Sequence, residues 1–142
     1  MNQIVSNLSK QEQVIAACEQ VLAAQIETKK FVEQKKVFDC VVNAVSAYYN
    51  LDASKLLLTN VRGEYSKPRS IVYLLLWRLK DYIHHPTFSV YKIADFFDLY
   101  ASNVTTQKNN LIRKISHVPS LEKEVLLIEK SIFQVIKKYQ NV

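Results

Sequence analysis

The chain is 142 residues long, 49% hydrophobic and 23% charged, with a single glycine and three prolines. This size and balance belong to one folded domain able to bury a substantial core, the scarcity of chain breakers points to an all-α fold, and no repeat or low-complexity tract is present. The net charge of +6 suits a polyanionic partner, although solubility alone would account for it equally well.

Residues 1–8 carry no helical pattern and are expected to fray. Ser9 is placed to cap a helix, with Glu12 three residues on completing a capping box. Val14, Ile15, Cys18, Val21, Leu22 and Ile26 recur at helical spacing. This helix is expected from about Lys10 to Lys30, continuing through Phe31 and Val32. Its apolar stripe can pack on the rest of the domain or pair with a second copy. Val37–Tyr49 is a second helix with a broad apolar face, broken at Asn50-Leu51. Asp52 then caps a short helix, Ala53–Leu58. Thr59–Lys67 is a loop in which Gly63 is expected to take a positive φ. Ser66 or Lys67 opens the next helix, with Pro68 in its first turn. Ile71, Val72, Leu74, Leu75, Leu76, Leu79 and Ile83 make that helix apolar nearly all round, which marks a central buried element. Tyr73 and Trp77 are expected at its margins. His84-His85-Pro86 ends it, because proline disfavours the α conformation in the residue before it.

Thr87 or Ser89 caps a helix that leads into the most informative stretch, Lys92–Ile115, KIADFFDLYASNVTTQKNNLIRKI. It reads as a helix-turn-helix. The first helix runs to about Phe97, Asp98-Leu99-Tyr100-Ala101 makes the turn, and Ser102 or Asn103 caps a second helix reaching about Ile115. Ala94 is small where the helices cross, and Phe97, Leu99 and Val104 are apolar where the elbow must be buried. Asp98 stands where such a turn usually has glycine, so it must visit the left-handed region at some cost. Ser102, Thr105, Thr106, Asn109, Asn110 and Arg113 then point outward. Short hydrogen-bonding side chains followed by a cation suit the base edges and phosphates of a major groove. After the connector Ser116-His117-Val118-Pro119, a last helix is expected from Ser120 to about Lys138. Its stripe is Leu121, Val125, Leu126/Leu127, Ile132, Phe133 and Ile136, and Lys137 and Lys138 oppose the helix dipole.

Charge is unevenly spread. Residues 1–50 hold five Lys/Arg against five Asp/Glu, residues 51–100 seven against five, and residues 101–142 seven against three. Arg62, Lys67, Arg69, Lys108, Arg113 and Lys114 are the candidates for a basic face. Other chemistry is poorly served. Cys18 and Cys40 lack a CxxC spacing and read as buried free thiols in a reducing cytoplasm. His84, His85 and His117 form no metal cluster. No nucleophile–base pair can be read, and no GxxxxGK[ST] phosphate loop exists, so neither an enzyme, a cofactor nor a bound nucleotide is expected. No apolar run reaches the ~18 residues of a membrane helix. The start, MNQIVSNLSKQEQ, has no signal-peptide pattern. A cytoplasmic location is expected.

From Val37 onward the order of parts resembles the C-terminal DNA-binding domain of the bacterial replication initiator DnaA. Four stretches carry the likeness: VVNAVSAYYNLDASKLL (residues 41–57), SKPRS (residues 66–70), YKIADFF (residues 91–97) and VTTQKNNLIRKI (residues 104–115). They look like that domain's opening and short second helices, its Pro-Arg signature after a basic loop, its first helix-turn-helix helix and its recognition helix. The family's turn reads Gly-Gly-Arg-Asp-His-Thr-Thr, where residues 100–106 here read Tyr-Ala-Ser-Asn-Val-Thr-Thr. Val104 thus replaces the His and Asn103 the Asp. The register leaves two alignments, with Thr105-Thr106 as the family's Thr pair or one position off it. Arg62 is the one Arg before Lys67, where the family has several.

The resemblance implies an all-α, Trp-repressor-like helix-turn-helix domain over residues 37–142, with residues 1–36 as a helical extension. It implies non-enzymatic, sequence-selective binding of double-stranded DNA in replication or transcription control. The expected DNA-binding residues are Arg62, Lys67, Arg69, Ser102, Asn103, Thr105, Thr106, Asn109, Asn110, Arg113 and Lys114, with Arg69 and Lys67 gripping phosphates. The alternative is a protein-interaction module on the same scaffold, in which the N-terminal helix and the C-terminal stripe bind another protein or a second copy.

Overall fold

A computed structural model describes residues 9–23, 32–83 and 89–140. In chain order the elements are α1 (Lys10–Leu22), α2 (Gln34–Tyr49), α3 (Ala53–Leu56), a 3-10 turn (Gly63–Tyr65), α4 (Ser66–Ile83), α5 (Val90–Phe96), α6 (Ala101–His117) and α7 (Pro119–Lys138). No strand occurs among the described residues, so the chain is all-α there. No helix among them is long and apolar enough to cross a membrane.

Local chemistry sets most boundaries. At α1 the Ser9 hydroxyl accepts the Glu12 N–H (3.1 Å) and the Glu12 carboxylate accepts the Ser9 N–H (3.3 Å), which is the expected capping box. The helix closes at Ala23. Its expected continuation through residues 24–31, the frayed residues 1–8, and the stop at His84-His85-Pro86 with Thr87 lie outside the described residues. Asp52 caps α3 by accepting the Ser54 N–H at 2.9 Å. Gly63 takes the positive φ, at 69°. Ser89 caps α5.

Four boundaries move. α2 begins at Gln34, three residues before Val37, and α3 ends at Leu56 rather than Leu58. Part of the expected loop winds into the 3-10 turn that leads straight into α4. α7 starts at Pro119, not Ser120, because the fixed φ of proline already fits the first helical position.

α4 is the central rod. Ile71, Val72, Leu74, Leu75, Leu76 and Leu79 are all buried, each contributing roughly 1.5–3 kcal/mol on burial. Tyr73 is buried with them at 2% exposure, so it belongs to the core and not to the margin. α4 packs on α2, α6 and α7, and α5 packs on α6. α1 is part of the same core. Its Val14, Cys18 and Leu22 are wholly buried, and the helix lies against α2 and α7. Val14, Cys18 and Leu22 of the α1 stripe are thus covered by the chain itself, while Ile15 and Val21 stay half-buried and Ile26 lies outside the described residues. Glu19 fastens α1, accepting from Lys138 (3.0 Å) and from the Tyr139 hydroxyl (2.6 Å) at the end of α7. The Tyr139 hydrogen bond and then Lys138 hold the Glu19 carboxyl below its ordinary range. Cys18 and Cys40 are buried free thiols facing each other across α1 and α2.

Candidate nucleic-acid interface

α5 and α6 pack on each other across a short turn, and that turn has a definite hydrogen-bond pattern. The Asp98 N–H donates to Asp95 O (3.3 Å) and the Leu99 N–H to Ala94 O (3.0 Å). These are the paired bonds of a Schellman closure, with Asp98 in the left-handed position at φ 53°. Asn50 ends α2 the same way at φ 55°. Below the turn, Phe97 and Val104 are buried, and Phe97 meets Phe38 of α2 and Tyr73 of α4 edge-on at 5.6 and 4.9 Å between ring centroids. Phe96 stacks on Phe38 at 4.3 Å.

α6 begins earlier than expected. Its N-cap is Tyr100, which offers no side-chain acceptor, so neither Ser102 nor Asn103 is the cap. The helix runs two residues past Ile115, to His117. Val104, Lys108 and Leu111 form its buried edge. Ser102, Asn103, Thr106, Asn109, Arg113 and Lys114 are exposed, and Thr105 and Asn110 are half-buried, so the side chains expected to read bases do share the outer face. Two of them are already tethered: Asn109 Oδ1 accepts from Lys108 (3.1 Å), and Asn110 Oδ1 accepts from Arg113 Nη2.

The basic face is smaller than the sequence suggested. Lys108 is 7% exposed and lies 4.1 Å over the Trp77 ring, which replaces solvent around its charge. Lys67 pairs with Glu124 at 3.6 Å, beside a Tyr49 hydroxyl that donates to the same carboxylate at 3.0 Å. Arg69 departs most from a surface phosphate grip. Only 6% exposed, it donates from Nε to Leu56 O (2.8 Å) and from Nη2 to Leu58 O (2.7 Å) and Lys55 O (3.2 Å). It satisfies Leu56 O, which the end of α3 leaves open, and adds to Lys55 O and Leu58 O, which already accept the Leu58 and Val61 N–H groups. Burial pulls its guanidinium below the usual range. Arg62, Arg113 and Lys114 remain as cations without a carboxylate partner among the described residues.

These cations line two adjoining hollows. One, of 540 Å³, runs beside α6 between Lys67, Arg113 and Lys114. The other, of 340 Å³, lies at the head of α6 between Arg62, Arg69, Tyr73 and Asn103. Ser66, Ser70 and Gln107 form the wall between them, with the Ser70 hydroxyl donating to Gln107 Oε1 at 3.4 Å. No Asp or Glu lines either hollow. Ser66, Ser70 and Tyr73 escaped sequence reasoning, although their i, i+4, i+7 spacing puts three hydroxyls on one face of the first turns of α4. No known protein family, curated protein or solved structure matches the chain.

Proposed function

We propose that the chain binds double-stranded DNA, without enzymatic activity, by laying α6 in the major groove. The observation that carries this reading is the outer face of α6. Ser102, Thr106, Asn109 and Arg113 stand exposed along it, no carboxylate lies on the helix, and Arg62 and Lys114 flank it without acidic partners. A 17-residue helix is about 25 Å long, ample for a groove about 12 Å wide. The likeness of residues 41–57, 66–70, 91–97 and 104–115 to the DnaA C-terminal domain supports the same reading and suggests a role in replication or transcription control.

Division of labour follows from exposure. Thr106 and Asn109 read bases, and Arg113, Lys114 and Arg62 meet phosphates. Asn109→Ala is expected to relax preference at one base position by ~1–3 kcal/mol, while Lys114→Ala weakens all duplexes alike and lowers the salt slope by about one unit. Gel-shift titrations of both variants on selected and scrambled duplexes at several salt concentrations check this. Equal loss on both duplexes for Asn109→Ala would remove its assigned role.

Packing leaves the interaction-module alternative part of its stripes: Val14, Cys18 and Leu22 in α1 and Leu121, Val125, Ile132 and Ile136 in α7 are buried within the chain, while Ile15, Val21, Leu126, Leu127 and Phe133 are half-buried.

A further inference from the structure

The hollow at the head of α6 has features that duplex binding does not require. Arg69 stands at its wall with Nε and Nη2 bound to carbonyls and Nη1 making no bond among the described residues. Its charge is thus held rigidly in a buried place with only neutral partners. Arg62 brings a second guanidinium. Tyr73 lines the same hollow, is 2% exposed, and its hydroxyl has no hydrogen-bond partner among the described residues. Its oxygen is not one of the enclosed unpartnered polar atoms among the described residues, so it keeps access to solvent and can bond water or a ligand. Asn103, in the first turn of α6, also lines the hollow. Two cationic charges and an unused hydroxyl converge where no carboxylate lines the hollow.

We infer that this hollow binds the phosphate group of a small phosphomonoester, or inorganic phosphate itself. Two features select the monoester over a diester. Two guanidiniums balance the −1.5 to −2 charge, roughly, that a phosphomonoester carries near neutral pH, whereas a backbone diester carries about one. The 340 Å³ volume sits at the low end of the ~300–1,000 Å³ range of ligand sites, room for a phosphate with a sugar-sized body. Arg69 and Arg62 neutralise the group, and the Tyr73 hydroxyl donates to one oxygen. The site abuts the helix proposed to read DNA, but its occupation does not depend on that reading.

The test is calorimetric titration of the full chain with inorganic phosphate, ribose 5-phosphate and ribose, at constant ionic strength set with chloride. Tyr73→Phe removes one oxygen that bonds nothing, and Arg62→Ala alters an exposed side chain, so both variants are expected to melt like the parent. Saturable one-to-one binding of either phosphate probe is expected, with none for ribose. Affinity should fall about 10-fold or more in Arg62→Ala and several-fold in Tyr73→Phe, as loss of charge-assisted and neutral hydrogen bonds implies. A short duplex titrated in parallel separates the sources. Unchanged duplex affinity in Tyr73→Phe, alongside weakened phosphate binding, upholds the small-ligand site. Weakened duplex binding with no heat from either free probe overturns it in favour of a backbone phosphate. Absence of saturable phosphate binding, or equal affinity in parent and both variants, also overturns it. Phosphate binding without any duplex binding leaves this inference intact and removes only the DNA reading.

Discussion

Arg69 shows how a residue's chemistry can be directed inward. Its guanidinium closes three carbonyls around the end of α3, so it holds the loop bearing Arg62 at the mouth of the small hollow. Hydrogen bonds to a charged group are worth about 1.5–3 kcal/mol, and Leu56 O, which has no backbone donor, would be left open in a buried place. Arg69→Ala is therefore expected to cost roughly 3 kcal/mol in urea unfolding, and Arg69→Lys to restore only part, since an ammonium cannot reproduce the planar fork. Wild-type stability in Arg69→Ala would mean the three bonds are not structural. Asp98 is the opposite case, a residue tolerated for its place. A non-glycine residue in the left-handed region carries roughly 1 kcal/mol of strain, eased for Asp by its short polar side chain. Asp98→Gly should raise stability by about 0.5–1 kcal/mol, and Asp98→Val should lower it; thermal melts of the two variants check the pair.

Among the elements, α6 was the most legible and its start the least. Its outer face was plain from the spacing of Ser102, Thr106, Asn109 and Arg113. The cap was misplaced because a Ser or Asn cap is worth only about 1 kcal/mol. Here the Schellman closure at Asp98 and burial of Phe97 and Val104 decide where the chain turns helical again. The buried place of Lys108 follows from periodicity too, four residues after Val104 and three before Leu111. Its charge argued for the surface until the Trp77 face was there to receive it. Arg69 had no such signal, since backbone carbonyls from a distant loop leave no mark on sequence spacing. α7 presents a different strain. Glu129 is 3% exposed and paired with Arg78 at 2.8 Å, while its Oε2 has no partner. Desolvation raises its carboxyl above the ordinary 4.5, against the opposing pull of Arg78 and Lys130. A carboxyl raised in the folded state binds its proton more tightly there. Its contribution to stability is full below the unfolded value and is lost as pH rises through the folded value. Glu129→Gln should gain on the parent as pH rises above the ordinary carboxyl value of 4.5. Urea midpoints of both proteins over rising pH test the sign, and parallel curves would contradict it.

At the scale of the whole molecule, the all-α class followed from one glycine and clear helical periodicity, and the core order from the apolar run of α4. Whether α1 stands apart was not readable, because the same stripe fits a partner or the chain's own α2 and α7. The Glu19 contacts with Lys138 and Tyr139 bind the first described helix to the end of the last. The result presents α6 on a framework braced from both ends, with Arg113 and Lys114 exposed along it and Arg62 beside its first turns. Selection of bound duplexes from a random-sequence pool, followed by affinity measurement across salt concentrations, tests that arrangement most directly. The account predicts an enriched site, with binding that weakens steeply with salt and a slope that falls when Arg113 or Lys114 is replaced by alanine. No enrichment and no salt-sensitive binding of any duplex would contradict it.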